Sequence, residues 1–441
     1  MTLTLSDLSA CFDGVIPSLV ATTDASGRPN VSYLSQVVAV DATHVALSNQ
    51  FFGKTAANIR ENPNATLLLV DGRSGEQYRL DVHFRETLIG GSIFDRIAAR
   101  LEAVREESGP NSVMRLRGVD VYRVEAIRRV PSPAETTPAP VVRPRSFAAL
   151  AEQASRIADQ ADLEAIIETA LAVLSRDLGL EHVLVLLLDP GRGVLTTIGS
   201  LGYERSGIGS EVAIGERPIG VAAQSGLVVR IADLSRERRF GAAVRASSHD
   251  ENRTRSIAVP GLADALSQIV VPLVWGGETR GVLFAESRRR LAFDADDEAI
   301  LTVLARQIAA GIAAAEATSE ALAPPSAVVA PPSTGRSFRV VHHHFDDSVF
   351  VDDEYVIKGV SGRLLVHMLG VVEREGRDEF TNRELRLADG LKLPDVKDNL
   401  ETRLLLLRRR LEEKSLPLRL LRIDRGRMRL TLDGRPILTK L

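Results

Sequence analysis

Apolar residues in the middle of the chain fall at two spacings, and the switches between them mark out helices and strands. Leu163, Ile166, Ile167, Ala170, Leu171 and Leu174 recur three and four apart, which predicts an amphipathic helix over 162–177. The run Val-Leu-Val-Leu-Leu-Leu at 183–188 predicts a buried strand, stopped by Asp189-Pro-Gly-Arg-Gly193, and 195–200 continues the sheet. A glycine-bracketed helix follows between Gly215 and Gly226, then a strand running to Asp233, and 267–287 folds over at Trp275-Gly-Gly-Glu278 as a hairpin. Asp294 can cap a last helix, with Asp296, Asp297 and Glu298 at its positive end. Along that helix Leu301, Leu304, Ile308, Gly311 and Ala315 form a narrow seam, which suits a parallel helix pair between subunits or packing on the protein's own sheet.

Upstream, period-two patterning predicts strands at 14–23, 31–41, 44–48, 65–70, 78–88 and 114–127. One short helix stops at Asn62-Pro63 and another lies near 92–107, so the block reads as a small antiparallel barrel. Downstream, strands at 338–342, 348–351 and 354–357 precede a helix at 361–375 that Gly376 ends. Thr381-Asn-Arg-Glu384 is a capping-box signature for a second helix. A third helix, 396–414, carries the stripe Leu400, Leu404, Leu407, Leu411, and a hairpin at 418–432 turns around Asp424-Arg-Gly426.

Proline-rich runs at 131–140, with Pro144 behind, and at 324–332 separate these blocks and favour extended spacers. The expected order is therefore 1–130, linker 131–146, 147–320, linker 321–335, and 336–441, a multidomain α+β chain of 441 residues. The formal net charge of -3 says little taken whole, but from Glu401 onward twelve Lys/Arg face five Asp/Glu, so the last block is basic. A single cysteine, Cys11, excludes an internal disulfide and a cysteine-rich metal site, and is read as a small packed side chain. No unbroken apolar run reaches the roughly 18 residues of a membrane span and the first residues lack a basic start, so a soluble, cytoplasmic protein without membrane partners is expected.

The first block resembles the pyridoxamine 5'-phosphate oxidase-like, flavin-binding split barrels. The resemblance rests on the Gly27-Arg-Pro29 turn, a strand closing in Ser48-Asn49, the Lys54-Thr55 step and the Asn62-Pro63 stop. It implies that Ser35, Ser48, Asn49, Lys54 and Thr55 hold the phosphate of FMN, with hydroxyl donors, one cation and the free N–H groups of a helix start. It also implies a homodimer with the flavin between subunits. A related cofactor such as deazaflavin or haem, or a barrel that only dimerises, remains open. The second strand carries no arginine and no basic-aromatic motif closes the barrel, so oxidation of pyridoxamine phosphate is not expected.

The middle block resembles a GAF domain, an α/β sandwich, on its glycine-bracketed helix, Asp233 and the Trp275 hairpin. The resemblance implies an unnamed small-molecule ligand beneath 234–266, or a dimerising relay. His182 and His249 are read as ordinary surface or core histidines rather than ligands. The last block resembles the winged helix-turn-helix output domain of response regulators, best at Leu404-x-x-Leu407-Arg-Arg-Arg-Leu411-Glu412. That resemblance implies DNA contacts from Arg408, Arg409, Arg410, Arg425 and Arg427. On a helical wheel, however, Leu405 and Leu406 point outward, which suits a partner surface better than a base edge. The triplet at 342–344 alternates faces on a strand and makes a poor metal site.

No nucleophile-and-base set or paired carboxylates stand out, which argues against a hydrolase. The sequence reads as a signal-responsive transcriptional regulator with two sensing blocks and a DNA-binding end. A flavin-dependent oxidoreductase with regulatory attachments, and a protein-interaction scaffold that binds no DNA, are the alternatives.

Overall fold

A computed structural model describes residues 3–49, 53–108, 116–131, 146–235, 255–319, 337–388, 391, 400–424 and 426–441. His249 and Arg425 lie outside these residues.

The first block is a seven-stranded antiparallel sheet of order β2-β1-β5-β6-β7-β4-β3, from β1 (Ser18–Thr23), β2 (Pro29–Leu34), β3 (Val37–Ala39), β4 (His44–Asn49), β5 (Asn64–Val70), β6 (Gln77–Leu88) and β7 (Gly118–Val130). The strand expected over 31–41 is broken in two: β2 pairs with β1 and β3 pairs with β4. Gln36 makes the corner, its N–H donating to Ser48 Oγ (3.1 Å) and its carbonyl accepting from Ser48 N–H (3.0 Å). One segment thus serves both edges of the sheet. A 3-10 helix, Leu5–Asp13, closes the core with Leu5, Leu8, Cys11 and Phe12, and α1 (Gly53–Glu61) and α2 (Ser92–Ser108) complete the block. Burial pushes the Cys11 thiol up to about 12, so it packs as a small apolar group.

In the middle block α3 (Phe147–Ala158) and α4 (Leu163–Ala172) begin at Ser146 and Asp162, whose side chains accept from Ala149 and Ala165 N–H. The sheet runs β10-β9-β8-β13-β12-β11, with β8 (His182–Asp189), β9 (Val194–Leu201), β10 (Glu211–Ala213), β11 (Val229–Ile231), β12 (Ser267–Trp275) and β13 (Glu278–Ser287). One face is covered by α3, α4 and α6 (Ala295–Ser319), where Leu301, Leu304, Ile308 and Ile312 are buried. The seam on α6 therefore packs on its own sheet. The stretch Ala295–Glu316 is also long and apolar enough to cross a membrane, so length and composition alone do not separate it from a span. The other face meets α5 (Arg217–Ser225) together with Ala99 and Ala103 of α2, which joins the first two blocks in one apolar cluster.

Gly281 sits in β13 opposite Leu187, and a Cβ there would lie 2.2 Å from the Leu186 carbonyl oxygen. Backbone cannot yield as a side-chain tip can. Gly281→Ala is expected to cost about 2–3 kcal/mol in denaturant unfolding, and a loss under 0.5 kcal/mol would show that the strands can part.

The last block pairs β14 (Phe338–His343), β15 (Ser348–Val351), β16 (Glu354–Ile357) and the C-terminal β20 (Pro436–Lys440) in the order β16-β15-β14-β20, with β20 parallel to β14. Three helices follow β16: α7 (Gly359–Glu375), α8 (Asn382–Leu387), whose N-cap Thr381 accepts from Glu384 N–H, and α9 (Leu400–Glu413). β17 (Glu379–Thr381) then joins the hairpin β18 (Leu418–Asp424) and β19 (Arg427–Leu432) in the order β17-β19-β18.

Candidate functional site

At one end of the barrel, β4 finishes in Ser48 and Asn49 and the chain returns four residues later as α1. Thr55, in the first turn of α1, is buried, and its hydroxyl meets Asn30 Nδ2 at 3.0 Å and Ser32 Oγ at 2.8 Å. Neither β2 residue was singled out from sequence, although the alternation Asn30-Val-Ser32-Tyr-Leu places both on one side of the strand. Lys54 is exposed at the helix start, where the α1 amides lack intrahelical acceptors. Ser35 is exposed at the turn between β2 and β3.

Asn49 is committed elsewhere. Its amide donates to Asp120 Oδ2 at 3.1 Å, while Thr87 Oγ1 donates to Asp120 Oδ1 at 2.6 Å. Burial raises the Asp120 pKa above the usual carboxylate value against those two hydrogen bonds. The five residues expected from sequence thus fall into an α1 group (Lys54, Thr55) and a strand-end group (Ser48, Asn49, Ser35). What the corner offers an anion is the exposed Lys54 ammonium and the first amides of α1, whereas the Ser48 and Thr55 side chains are buried, Ser48 Oγ against Gln36 N–H and the Thr55 hydroxyl against Asn30 and Ser32.

A second polar group lies on the middle sheet. His182, Glu286 and Gln268 stand directly opposite one another on β8, β13 and β12, buried on the face that α5 covers. Glu286 accepts from Leu262 N–H (2.7 Å) and from Gln268 Nε2 (3.3 Å), and the Tyr203 ring packs edge-on against His182. His182 Nδ1 and Gln268 Oε1 have no hydrogen-bond partner, and burial, then the Arg288 charge, lowers the His182 pKa. Sequence reasoning took His182 as a lone histidine because register, which aligns it with Glu286 and Gln268, is not visible in the spacing.

The third place is α9, and here one sequence expectation needs correcting. Arg408, Arg409 and Arg410 do not form an open basic face. Arg408 Nη1 reaches Glu164 Oε2 of α4 at 2.6 Å, and Arg409 donates to the Ile198 carbonyl of β9. Arg410 is 1% exposed inside its own block, donating to the Val356 carbonyl at 3.0 Å. Arg427 donates to Glu379 at 2.7 Å. The physical reason is the leucine pair that points outward: Leu405 joins the apolar cluster of the GAF-like helices, and Leu406 packs with Ile208 ahead of β10. Among the described residues no group of three His, Cys, Asp or Glu could hold a metal ion; His342 is paired with Asp347 at 3.2 Å.

Comparison with known proteins agrees with this division. A sequence model of the pyridoxamine 5'-phosphate oxidase family matches residues 10–125, and a GAF-domain model matches residues 162–312. No curated protein matches. Among solved structures, the GAF domain of an Acinetobacter phosphoenolpyruvate-protein phosphotransferase is 19% identical, covering 39% of this chain and 95% of that one (TM-score 0.33). A free methionine-R-sulfoxide reductase from Neisseria meningitidis, solved with its substrate, is 24% identical over 40% of this chain and 96% of its own (TM-score 0.31). An FMN-binding protein from Syntrophomonas wolfei is 21% identical over 28% of this chain and 83% of its own (TM-score 0.24). The chain carries an N-terminal domain of the pyridoxamine 5'-phosphate oxidase type followed by a GAF domain.

Proposed function

We propose that the protein is a cytoplasmic, signal-responsive regulator. Its split barrel binds FMN, its GAF domain receives a small polar ligand at the row His182, Glu286, Gln268, and its C-terminal block is a winged helix that acts on DNA. The pairing of two sensory-type domains supports a regulatory or sensory role. The observation that carries the rest is α9: the helix that would read DNA is held against the GAF domain, so sensor and output share one interface. Strands, three helices and the β18–β19 hairpin follow in winged-helix order.

The donor set at the barrel corner suits a phosphate. Lys54 would supply charge and the start of α1 free amides, and Ser48 and Thr55 would add hydroxyl donors on turning from Gln36, Asn30 and Ser32. Bound FMN would supply reversible one- or two-electron chemistry. The edge strand β2 turns Val31 and Tyr33 outward at 61% and 78% exposure, an apolar face that a second copy would cover in the dimer such a site calls for.

The test is titration with FMN, read from the absorption bands of oxidised flavin and from quenching of its fluorescence. Lys54→Ala and Thr55→Ala are each expected to weaken binding about tenfold, the loss of one charge-assisted or buried hydrogen bond. A wild-type protein that leaves FMN free in solution would sink the flavin assignment. Steady oxidation of a nicotinamide reductant by the flavin-loaded protein would instead favour the oxidoreductase.

A further inference from the structure

The seam between α9 and the GAF domain has a pattern that ordinary domain packing does not require. Four arginines of the C-terminal block meet four carboxylates of the GAF domain. Arg403 pairs with Asp189 at 2.7 Å and Arg408 with Glu164 at 2.6 Å. Arg422, on the hairpin, pairs with Asp162 at 2.7 Å, and Arg409 lies 3.7 Å from Glu168. Arg403–Asp189 and Arg408–Glu164 are 11–15% exposed on both sides and so are not solvated surface pairs, whereas Glu168, opposite Arg409, is 64% exposed.

The apolar contacts are shaped to the same purpose. Leu405 is buried among the GAF helices, and Leu406 approaches Gly209, where φ is +85° and a Cβ would lie 3.5 Å from Leu406 Cδ1. At the ends of the seam Ser206 donates to Glu413 (2.8 Å) and Lys358 meets Glu211 (3.4 Å). Arginines on a helix and on its following hairpin are how a winged helix engages the phosphates of a duplex. Here carboxylates along α4 and at the end of β8 meet them instead.

We propose that Asp162, Glu164, Glu168 and Asp189 form an acidic clamp that stands in for nucleic-acid phosphate and holds α9 closed. The inference rests on the DNA-binding output proposed above. A duplex and the clamp compete for the same guanidinium groups, so the closed chain binds DNA weakly and a signal that loosens the GAF surface releases α9. Neutralising the clamp removes the opposing charge from largely buried guanidinium groups, a state relieved when the blocks part and those groups reach water. Parting, rather than unfolding, is the expected outcome.

The experiment uses the full chain with Asp162→Asn, Glu164→Gln and Asp189→Asn combined, none of which lies in the C-terminal block. Backbone hydrogen exchange is followed across Leu400–Glu413, and binding to a duplex of mixed sequence is measured by fluorescence anisotropy at two salt concentrations. The expected result is faster exchange in α9 and duplex affinity raised about tenfold or more, with a steeper salt dependence. Unchanged exchange in α9 would overturn the clamp. Faster exchange with no gain in duplex binding would leave the clamp standing and overturn the nucleic-acid output instead. A charge swap, Asp189→Arg with Arg403→Asp, guards against misfolding: it is expected to restore protection that Asp189→Arg alone removes, and failure to do so would overturn the pairing.

Discussion

Asp13→Ala is expected to remove about 3–5 kcal/mol of stability, because it takes the carboxylate out of a buried charge node between the barrel and the GAF domain. Asp13 ends the 3-10 helix and is 4% exposed. Its Oδ1 accepts from Arg230 Nη1 at 2.6 Å, and Arg73 Nη2 lies 3.5 Å from Oδ2. Arg230, on β11, also donates to Glu298 at 2.9 Å and to the Phe293 carbonyl at 3.2 Å. Burial opposes the Arg230 charge, but Asp13 and then Glu298 hold its pKa above the usual arginine value. Nearby, Arg100 donates to the Phe12 and Asp13 carbonyls, and burial, then the Arg230 charge, pulls its pKa down to about 10. Without Asp13, Arg230 is left with Glu298, and Arg73 loses the carboxylate that it faces.

A double-mutant cycle with Arg230→Met checks the argument. The double variant is expected to recover part of the loss, since an apolar chain of similar length leaves no stranded charge. A single-variant cost below 1 kcal/mol, or strict additivity, would show that the node is solvated and couples nothing. Raised salt is expected to change the loss little, because pairs this buried are poorly screened. Glu298 lies in the first turn of α6, so Arg230 ties Asp13 of the barrel to the helix that covers the GAF sheet.

Periodicity told which face of an element is apolar, and most of the fold was legible on that basis. The helix at Leu163–Ala172, the buried strand β8, the β12–β13 hairpin and the first long helix of the last block follow directly from spacing, caps and turn residues. What periodicity does not tell is against what a face packs. On α6 the seam suited a subunit pair or the protein's own sheet equally, and contacts with residues more than a hundred positions upstream decide for the sheet. Leu405 and Leu406 were legible as outward-facing and in need of a partner, but Glu164 and Ile208, some two hundred residues away, were not legible as what meets α9. The barrel corner was half legible: Lys54 and Thr55 stand at the helix start, whereas Asn30, Ser32 and Asp120 arrive by strand pairing that the sequence does not specify locally. The strand β20 was missed because it is short and begins with proline, a pattern that fits an edge strand as well as a tail.

Arg410→Ala separates the structural account of α9 from one based on sequence resemblance. If Arg410 were a phosphate contact, alanine would weaken duplex binding, reduce its salt dependence and leave stability nearly unchanged. The structure leads to a different expectation. Arg410 is among the largest fully buried side chains; its Nε donates to the Val356 carbonyl of β16 at 3.0 Å and its Nη1 meets Glu413 at 2.9 Å. Removing it orphans a buried carbonyl, opens a cavity the size of the side chain and frees Glu413, which also holds Ser206 of the GAF domain. The expected cost is about 3–4 kcal/mol in thermal or denaturant unfolding. Arg410→Lys is expected to recover little, because one ammonium cannot reach the carbonyl and the carboxylate with the fork geometry of a guanidinium. Arg427→Ala is the control and is expected to cost under about 1 kcal/mol, because Arg427 is partly exposed and Glu379 keeps its pair with Arg429. An Arg410→Ala protein as stable as wild type would mean that α9 does not bury this side chain against β16.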